Sequence, residues 1–119
     1  MNEIDERYDV DERFGVMEMF DDEVRSILKR RISIHPEDRI ISLIWEELAS
    51  KLSENEELTI NFLSTCSSKE IYYISEVFED ISLNLKSHKF IGELRELEKK
   101  FPYIDMRADI ELAEEYADY

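Results

Sequence analysis

The sequence predicts an all-α protein, a compact single-domain bundle of about six helices joined by short turns. The 119 residues include only two glycines and two prolines, and they lack the Asn-Gly and Asp-Gly pairs that form tight β-hairpins. Apolar residues recur at spacings of three and four, the period of an amphipathic helix. Capping residues stand before most of these stripes. A chain of this length is long enough for one domain with its own core.

The two ends of the first predicted helix are marked by charge. Residues 1–20 lack a clean apolar period and are predicted to be an acidic N-terminal segment, loosely ordered, ahead of a helical domain at 21–119. The first helix of that domain is predicted to begin with Asp21 or Asp22 as its N-cap. It ends near the basic run 29–31, where positive charge suits the helix dipole or forms internal salt bridges.

Capping signals define the middle helices. Pro36 is predicted to open the second helix. Ser53 and Glu56 form a capping box before a short third helix, and Ser67 and Glu70 form another before the fourth. The fourth helix has the clearest period, with apolar residues three or four apart: Ile71, Ile74, Phe78, Ile81 and Leu85.

The last two helices follow the same rules. Ser87 is predicted to cap the fifth helix, which Pro102 follows closely. Asp105 or Asp109 is predicted to cap the sixth, whose buried side carries Ile110, Ala113 and Ala117. The oligomeric state is left open by the sequence. Trp45 and the apolar residues of the second helix are interpreted as core rather than as a dimer interface.

Charge and composition restrict the functional class. The net charge of −15 opposes binding to nucleic acid and to anionic membranes, and it favours basic partners and fast association. A single cysteine excludes an intramolecular disulfide and a cysteine-built zinc site. No apolar run approaches the roughly 20 residues needed to span a bilayer, and the N-terminus does not resemble a signal peptide. A cytoplasmic protein is therefore expected.

Few residues suggest catalysis. His35 and His88 each stand just before a predicted helix and are interpreted as turn or capping residues. Cys66 falls on an apolar stripe and is interpreted as a small buried hydrophobe, although a Cys–His nucleophile is the alternative. The segment "DVDERFG" partly matches a calcium loop, but Phe14 and Phe20 stand where that loop needs glycine and glutamate. We therefore expect no metal, no cofactor and no small-molecule substrate.

Carboxylate pairs are the strongest enzymatic signal. Three E-x-x-E spacings place two carboxylates on one face of a helix: Glu76 with Glu79, Glu93 with Glu96, and Glu111 with Glu114. Two such helices can hold Mg²⁺ for phosphate hydrolysis, as in the all-α nucleotide pyrophosphohydrolases, whose composition this chain loosely resembles. Because glutamate is abundant in every predicted helix, a solvated face is the favoured interpretation.

Both ends of the chain combine carboxylates with aromatic rings, which is suited to a positively charged protein partner. After Arg107 the chain has no Lys or Arg. The candidate binding residues are Asp9, Asp11, Glu12, Glu76, Glu79, Asp80, Asp105, Asp109, Glu111, Glu114, Glu115, Tyr116 and Asp118.

The stretch "SSKEIYYISEVFEDISLNLKSHKFIGELRELEKKFPYIDMRADIELAEEYAD" at 67–118 resembles the small helical immunity proteins of bacterial polymorphic toxin systems, including contact-dependent growth inhibition. The resemblance lies in the succession of helices and not in a catalytic signature. It implies a non-enzymatic protein that binds a cognate toxin domain, often a nuclease, and blocks its active site or another essential surface. The alternatives are another acidic binding module, such as a DNA-mimic inhibitor or an adaptor of basic proteins, and the metal-dependent phosphohydrolase.

Overall fold

Helix α1, Asn2–Ser33, is the longest element of the structure. The structure is a computed structural model that describes the backbone of residues 2–118 and the side chains of residues 15–118. The helix begins well before Asp21 and Asp22, so the prediction that one of them caps its N-terminus is wrong. An apolar period marks a helix only where the helix buries one face, and among the described side chains of α1 the first buried one is Phe20. The division at residue 20 stays a prediction.

Six further α-helices complete the described chain, and they confirm the all-α single-domain bundle. They are α2 (Ile41–Leu52), α3 (Glu56–Thr65), α4 (Ser68–Ile74), α5 (Phe78–Leu85), α6 (His88–Lys100) and α7 (Arg107–Ala117). A 3₁₀ turn, Ser75–Val77, joins α4 to α5. The predicted fourth helix is therefore α4, the turn and α5 in succession, which leaves six helical units as expected.

The predicted caps are partly confirmed. Ser67 forms the capping box with Glu70, and Ser87 accepts a hydrogen bond from the backbone N–H of Phe90 at the start of α6. The box predicted at Ser53 is absent, because Asn55 caps α3 instead and accepts from the N–H of Leu58.

Two predicted helix starts are also wrong. Pro36 lies in the loop before α2, whose first turn begins five residues later at Ile41. Asp38 explains part of the delay, because its carboxylate accepts a hydrogen bond from the N–H of Ile40 in a local turn. At α7 the N-cap is Met106, without a side-chain bond, and Asp109 lies in the first helical turn.

The core joins all the helices into one cluster. Helix α1 packs against α2, α3 against α6, and α7 against both α5 and α6. Phe78 and Phe90 are fully buried and meet edge to face, with ring centroids 6.4 Å apart. Trp45 is half-buried at the rim of this core and packs against it, whereas Leu43 of the same helix is 61% exposed. The interpretation of the apolar residues of this helix as core is therefore confirmed only in part.

An ion pair between a buried guanidinium and a partly exposed carboxylate fixes α1 against the 3₁₀ turn. The Arg31 guanidinium donates two hydrogen bonds of 2.7 Å to the two carboxylate oxygens of Glu76. It also lies over the ring of Tyr73, and the indole N–H of Trp45 donates to Glu76 at 3.1 Å. The interpretation of the basic run as internal salt bridges is thereby confirmed, since Arg30 pairs with Glu47 as well.

Glu70 makes the fold sensitive to acid. Burial alone would raise the pKa of its carboxyl, but hydrogen bonds from Arg25 and Ser67 outweigh burial and hold the pKa below its ordinary value of 4.5. A lowered pKa means that Glu70 contributes stability above about pH 4.5, and this contribution is lost as the pH falls through the folded-state value.

Replacing Glu70 by glutamine should therefore lower the free energy of unfolding at pH 7 by about 1 kcal/mol and flatten its decline in acid. Urea unfolding at a series of pH values measures both effects. The control is Glu46→Gln, because Glu46 is exposed and forms no ion pair among residues 15–118. An unchanged pH profile for the Glu70 variant would contradict the assignment.

Candidate protein-binding surface

Helix α7 packs against the bundle through a narrow apolar face in which two of the three buried side chains are alanines. Ile110, Ala113 and Ala117 are buried, and the buried hydroxyl of Ser82 on α5 donates a hydrogen bond to the carbonyl of Ala113. The alanines permit this close approach because they have no long side chain. The carboxylates of α7 consequently lie at its two edges and on its outer surface.

The edge of α7 beside α6 is electrostatically compensated. Glu114 lies 3.4 Å from a guanidinium nitrogen of Arg95, and Asp118 lies 3.1 Å from Nε2 of His88. Arg107, at the start of α7, reaches Glu98 of α6 at 3.3 Å. These side chains are exposed or half-buried, so each pair contributes little stability. Glu114 nevertheless has a cationic partner within the protein, and Asp118 has the imidazole of His88 beside it.

The outer surface of α7 carries charge without such partners. Glu111 and Glu115 are exposed, and neither forms an ion pair with any side chain between residues 15 and 118. They lie four residues apart and therefore share one face of the helix. We call Glu111 and Glu115 the ridge of α7, which is acidic and exposed to solvent.

The edge of α7 beside α5 is both acidic and apolar. Asp109, Leu112 and Tyr116 follow one another at spacings of three and four, which places them along one side of the helix. Partial burial raises the pKa of Asp109, and the negative charge of Asp105 raises it further. The carboxylates of Asp105 and Asp109 therefore repel each other. A cation bound beside them would relieve this repulsion.

The three E-x-x-E pairs lie in unlike environments. Glu76 lies in the 3₁₀ turn and is held by Arg31, whereas Glu79 is half-buried in the first turn of α5. On α6, burial raises the pKa of Glu93, and the charge of Glu96 raises it further. Among residues 15–118, no group of three or more His, Cys, Asp or Glu side chains is arranged to hold a metal ion.

Asp80 faces a different part of the molecule from Glu79. It lines an open cleft of about 610 Å³ between α2 and α5, together with Glu46, Glu54 and the ring of Trp45. Across this cleft the side-chain amide of Asn84 donates to the hydroxyl of Ser53 at 3.1 Å. Glu76 is thus held by Arg31 and Trp45, and Asp80 lines the cleft that Trp45 also borders, whereas Glu79 is not among the residues of the cleft.

The remaining predicted residues, Asp9, Asp11 and Glu12, lie outside the described side chains. Their backbone belongs to the N-terminal half of α1. The structure therefore adds nothing to the prediction that they contact a partner.

Cys66 and His35 have structural roles. Cys66 is buried, its thiol donates to the carbonyl of Phe62, and burial raises the pKa of the thiol to about 12. A thiol with so high a pKa is almost entirely protonated at neutral pH, and it is therefore a poor nucleophile. His35 accepts a hydrogen bond from the backbone N–H of Glu37, which confirms its role in a turn.

Eight large apolar side chains between residues 15 and 118 are exposed, and sequence reasoning missed the three that lie on α5, on α7 and in the loop between α6 and α7. Leu83 and Leu112 are each 44% exposed, and Tyr103, in the loop before α7, is 74% exposed. The signal was present for the two leucines, because each falls outside the apolar stripe of its helix. Exposed leucine and tyrosine beside carboxylates are typical of protein-binding surfaces.

Comparisons with protein families, with curated proteins and with solved structures found no match to this chain. Within residues 2–118, none of the helices combines the length and the apolar character that crossing a bilayer requires.

Proposed function

We propose that this protein is an immunity protein, which binds and neutralises a cognate toxin domain in the cytoplasm of the cell that makes the toxin. The observation that carries the proposal is the uncompensated negative charge on α5, on α7 and in the loop before α7. Glu79, Asp105, Asp109, Glu111 and Glu115 form no ion pair among residues 15–118. Helices held by a packed core present these carboxylates in a fixed arrangement.

A nuclease is the toxin activity that this surface suits best. Nucleases bind phosphates with clusters of Lys and Arg, and carboxylates on a rigid helix can occupy such a cleft in place of phosphates. The net charge of −15 increases the rate of encounter with a basic protein. Fast capture is useful for an inhibitor that must act before the toxin reaches its substrate.

The test begins with affinity capture from the native bacterium at low salt, followed by mass spectrometry. Recovery of one basic toxin fragment supports the proposal, and co-expression of that fragment with this protein should restore growth. Recovery of several unrelated DNA-binding proteins would indicate a general acidic mimic instead. Failure of co-expression to restore growth would contradict neutralisation.

Charge reversal provides the matched comparison in the growth assay. The variant Glu111→Lys/Glu115→Lys should restore growth less well than the wild type. Glu37→Lys/Glu46→Lys changes the net charge by the same amount but lies on the loop before α2 and on α2 itself. Equal loss of protection in both variants would mean that only the total charge matters.

The association rate should depend on salt. Because long-range attraction is screened beyond about 10 Å at 0.1 M salt, the rate of complex formation should fall about tenfold or more between low and high salt. Stopped-flow mixing with the captured toxin domain measures this rate. A rate indifferent to salt would show that the acidic surface does not steer the encounter.

A further inference from the structure

Two exposed leucines lie beside the contact between α5 and α7. Leu83 follows Ser82 and Leu112 precedes Ala113, and Ser82 is hydrogen-bonded to Ala113 across the contact. Both leucines are 44% exposed, whereas the buried sides of their helices are filled by other residues. Each leucine is therefore next in sequence to a residue of the contact, and its side chain is open to solvent.

Each leucine has a carboxylate beside it on its own helix. Glu79 lies four residues before Leu83, and Asp109 lies three residues before Leu112, spacings that make helix neighbours. Neither carboxylate has an ion-pair partner in the described part of the chain. We call these four residues, Glu79, Leu83, Asp109 and Leu112, the α5–α7 seam.

We infer that the α5–α7 seam is the surface on which the basic partner docks, and that it takes a segment carrying an apolar side chain between Lys or Arg side chains. The inference rests on the proposed function only in taking the partner to be a basic protein. Binding energy in protein interfaces comes mainly from apolar anchors that lose water, while charges around them fix orientation. The seam offers both kinds of group.

The other two acidic parts of α7 offer only one of these features. At the α6 edge, Glu114 and Asp118 are already engaged with Arg95 and His88. On the outer ridge, Glu111 and Glu115 are hydrated charges, and exposed ion pairs of this kind contribute little to affinity. The ridge can accelerate the encounter, but the seam supplies the contact that holds the partner.

The test uses two synthetic peptides and the full chain labelled with ¹⁵N. One peptide is a basic amphipathic helix with leucines on one face and arginines at its flanks, and the other has serine in place of every leucine. We expect the leucine peptide to shift amide resonances at the seam and to bind about tenfold more tightly than the serine peptide.

Two variants locate the effect. Leu83→Ser/Leu112→Ser should bind both peptides equally, since its apolar anchors are gone, and circular dichroism verifies that it is folded. Glu111→Gln/Glu115→Gln loses charge but no apolar surface, so it should keep the tenfold preference.

Three results would overturn the inference. These are equal affinity of the wild type for both peptides, shifts centred on the ridge or on the α2–α5 cleft, and no binding at millimolar peptide. Because the peptides replace the toxin, the result is independent of the growth assay. A protein that binds the leucine peptide at the seam but fails to restore growth would contradict the immunity proposal alone.

Discussion

Replacing Glu76 by alanine is expected to destabilise the fold by about 2–3 kcal/mol, although Glu76 was predicted from sequence to be a binding residue. The Arg31 side chain is only 5% exposed, and its two hydrogen bonds to Glu76 compensate a charge that water cannot reach. Without the carboxylate, the guanidinium is left buried and unpaired, and the indole N–H of Trp45 also loses its acceptor. Urea unfolding followed by circular dichroism measures the loss.

Two further variants separate the pair from its neighbours. Glu79→Ala should change stability by no more than about 0.5 kcal/mol, because Glu79 has no ion-pair partner among residues 15–118. Arg31→Met/Glu76→Met removes both charges and should be more stable than Glu76→Ala. A loss of less than about 1 kcal/mol in Glu76→Ala would show that the pair is not structurally important and would return Glu76 to the candidate binding residues.

Replacing Phe78 by alanine is the second change with a large expected effect, about 3–5 kcal/mol. Phe78 opens α5 directly after the 3₁₀ turn, is fully buried, and meets Phe90 of α6 edge to face. Truncation leaves a cavity where α5 and α6 meet, and the ring contact with Phe90 is lost as well.

The same denaturation experiment measures this effect. Phe78→Leu fills most of the space and should cost clearly less than Phe78→Ala. Leu83→Ala is the surface control, since Leu83 is on the same helix but 44% exposed, and it should cost no more than about 1 kcal/mol. Similar losses for Phe78→Ala and Leu83→Ala would contradict the assignment of Phe78 to the core.

The helices were predictable where they bury a continuous apolar face. Ile71, Ile74, Phe78 and Ile81 are all fully buried, as their spacing predicts. The N-terminal half of α1 was not predictable by the same rule. An apolar period in the sequence indicates that one face of a helix is buried, and it does not indicate by itself whether a segment is helical. The 3₁₀ turn at Ser75–Val77 could not be predicted, because the apolar spacing of the sequence continues unchanged across it.

The candidate site was predictable in kind but not in detail. An acidic final helix could be inferred from its composition. Which of its carboxylates have partners depends on how α7 lies against α5 and α6: Glu114 meets Arg95, whereas Glu111, three residues earlier, meets no cation among the described side chains. Helical spacing alone places Glu111 and Glu114 together. Only the packing of neighbouring helices distinguishes them.

The hydrogen bond from Trp45 to Glu76 also gives the molecule an optical probe. Trp45 is the only tryptophan in the sequence, and its ring lines the cleft between α2 and α5. The α5–α7 seam lies on the other side of α5, where Ser82 meets α7. A tryptophan-free ligand bound in the cleft should change the emission spectrum, whereas the same ligand on the seam should leave it unchanged. Ultraviolet fluorescence of the unlabelled protein can therefore distinguish the two surfaces in a single titration.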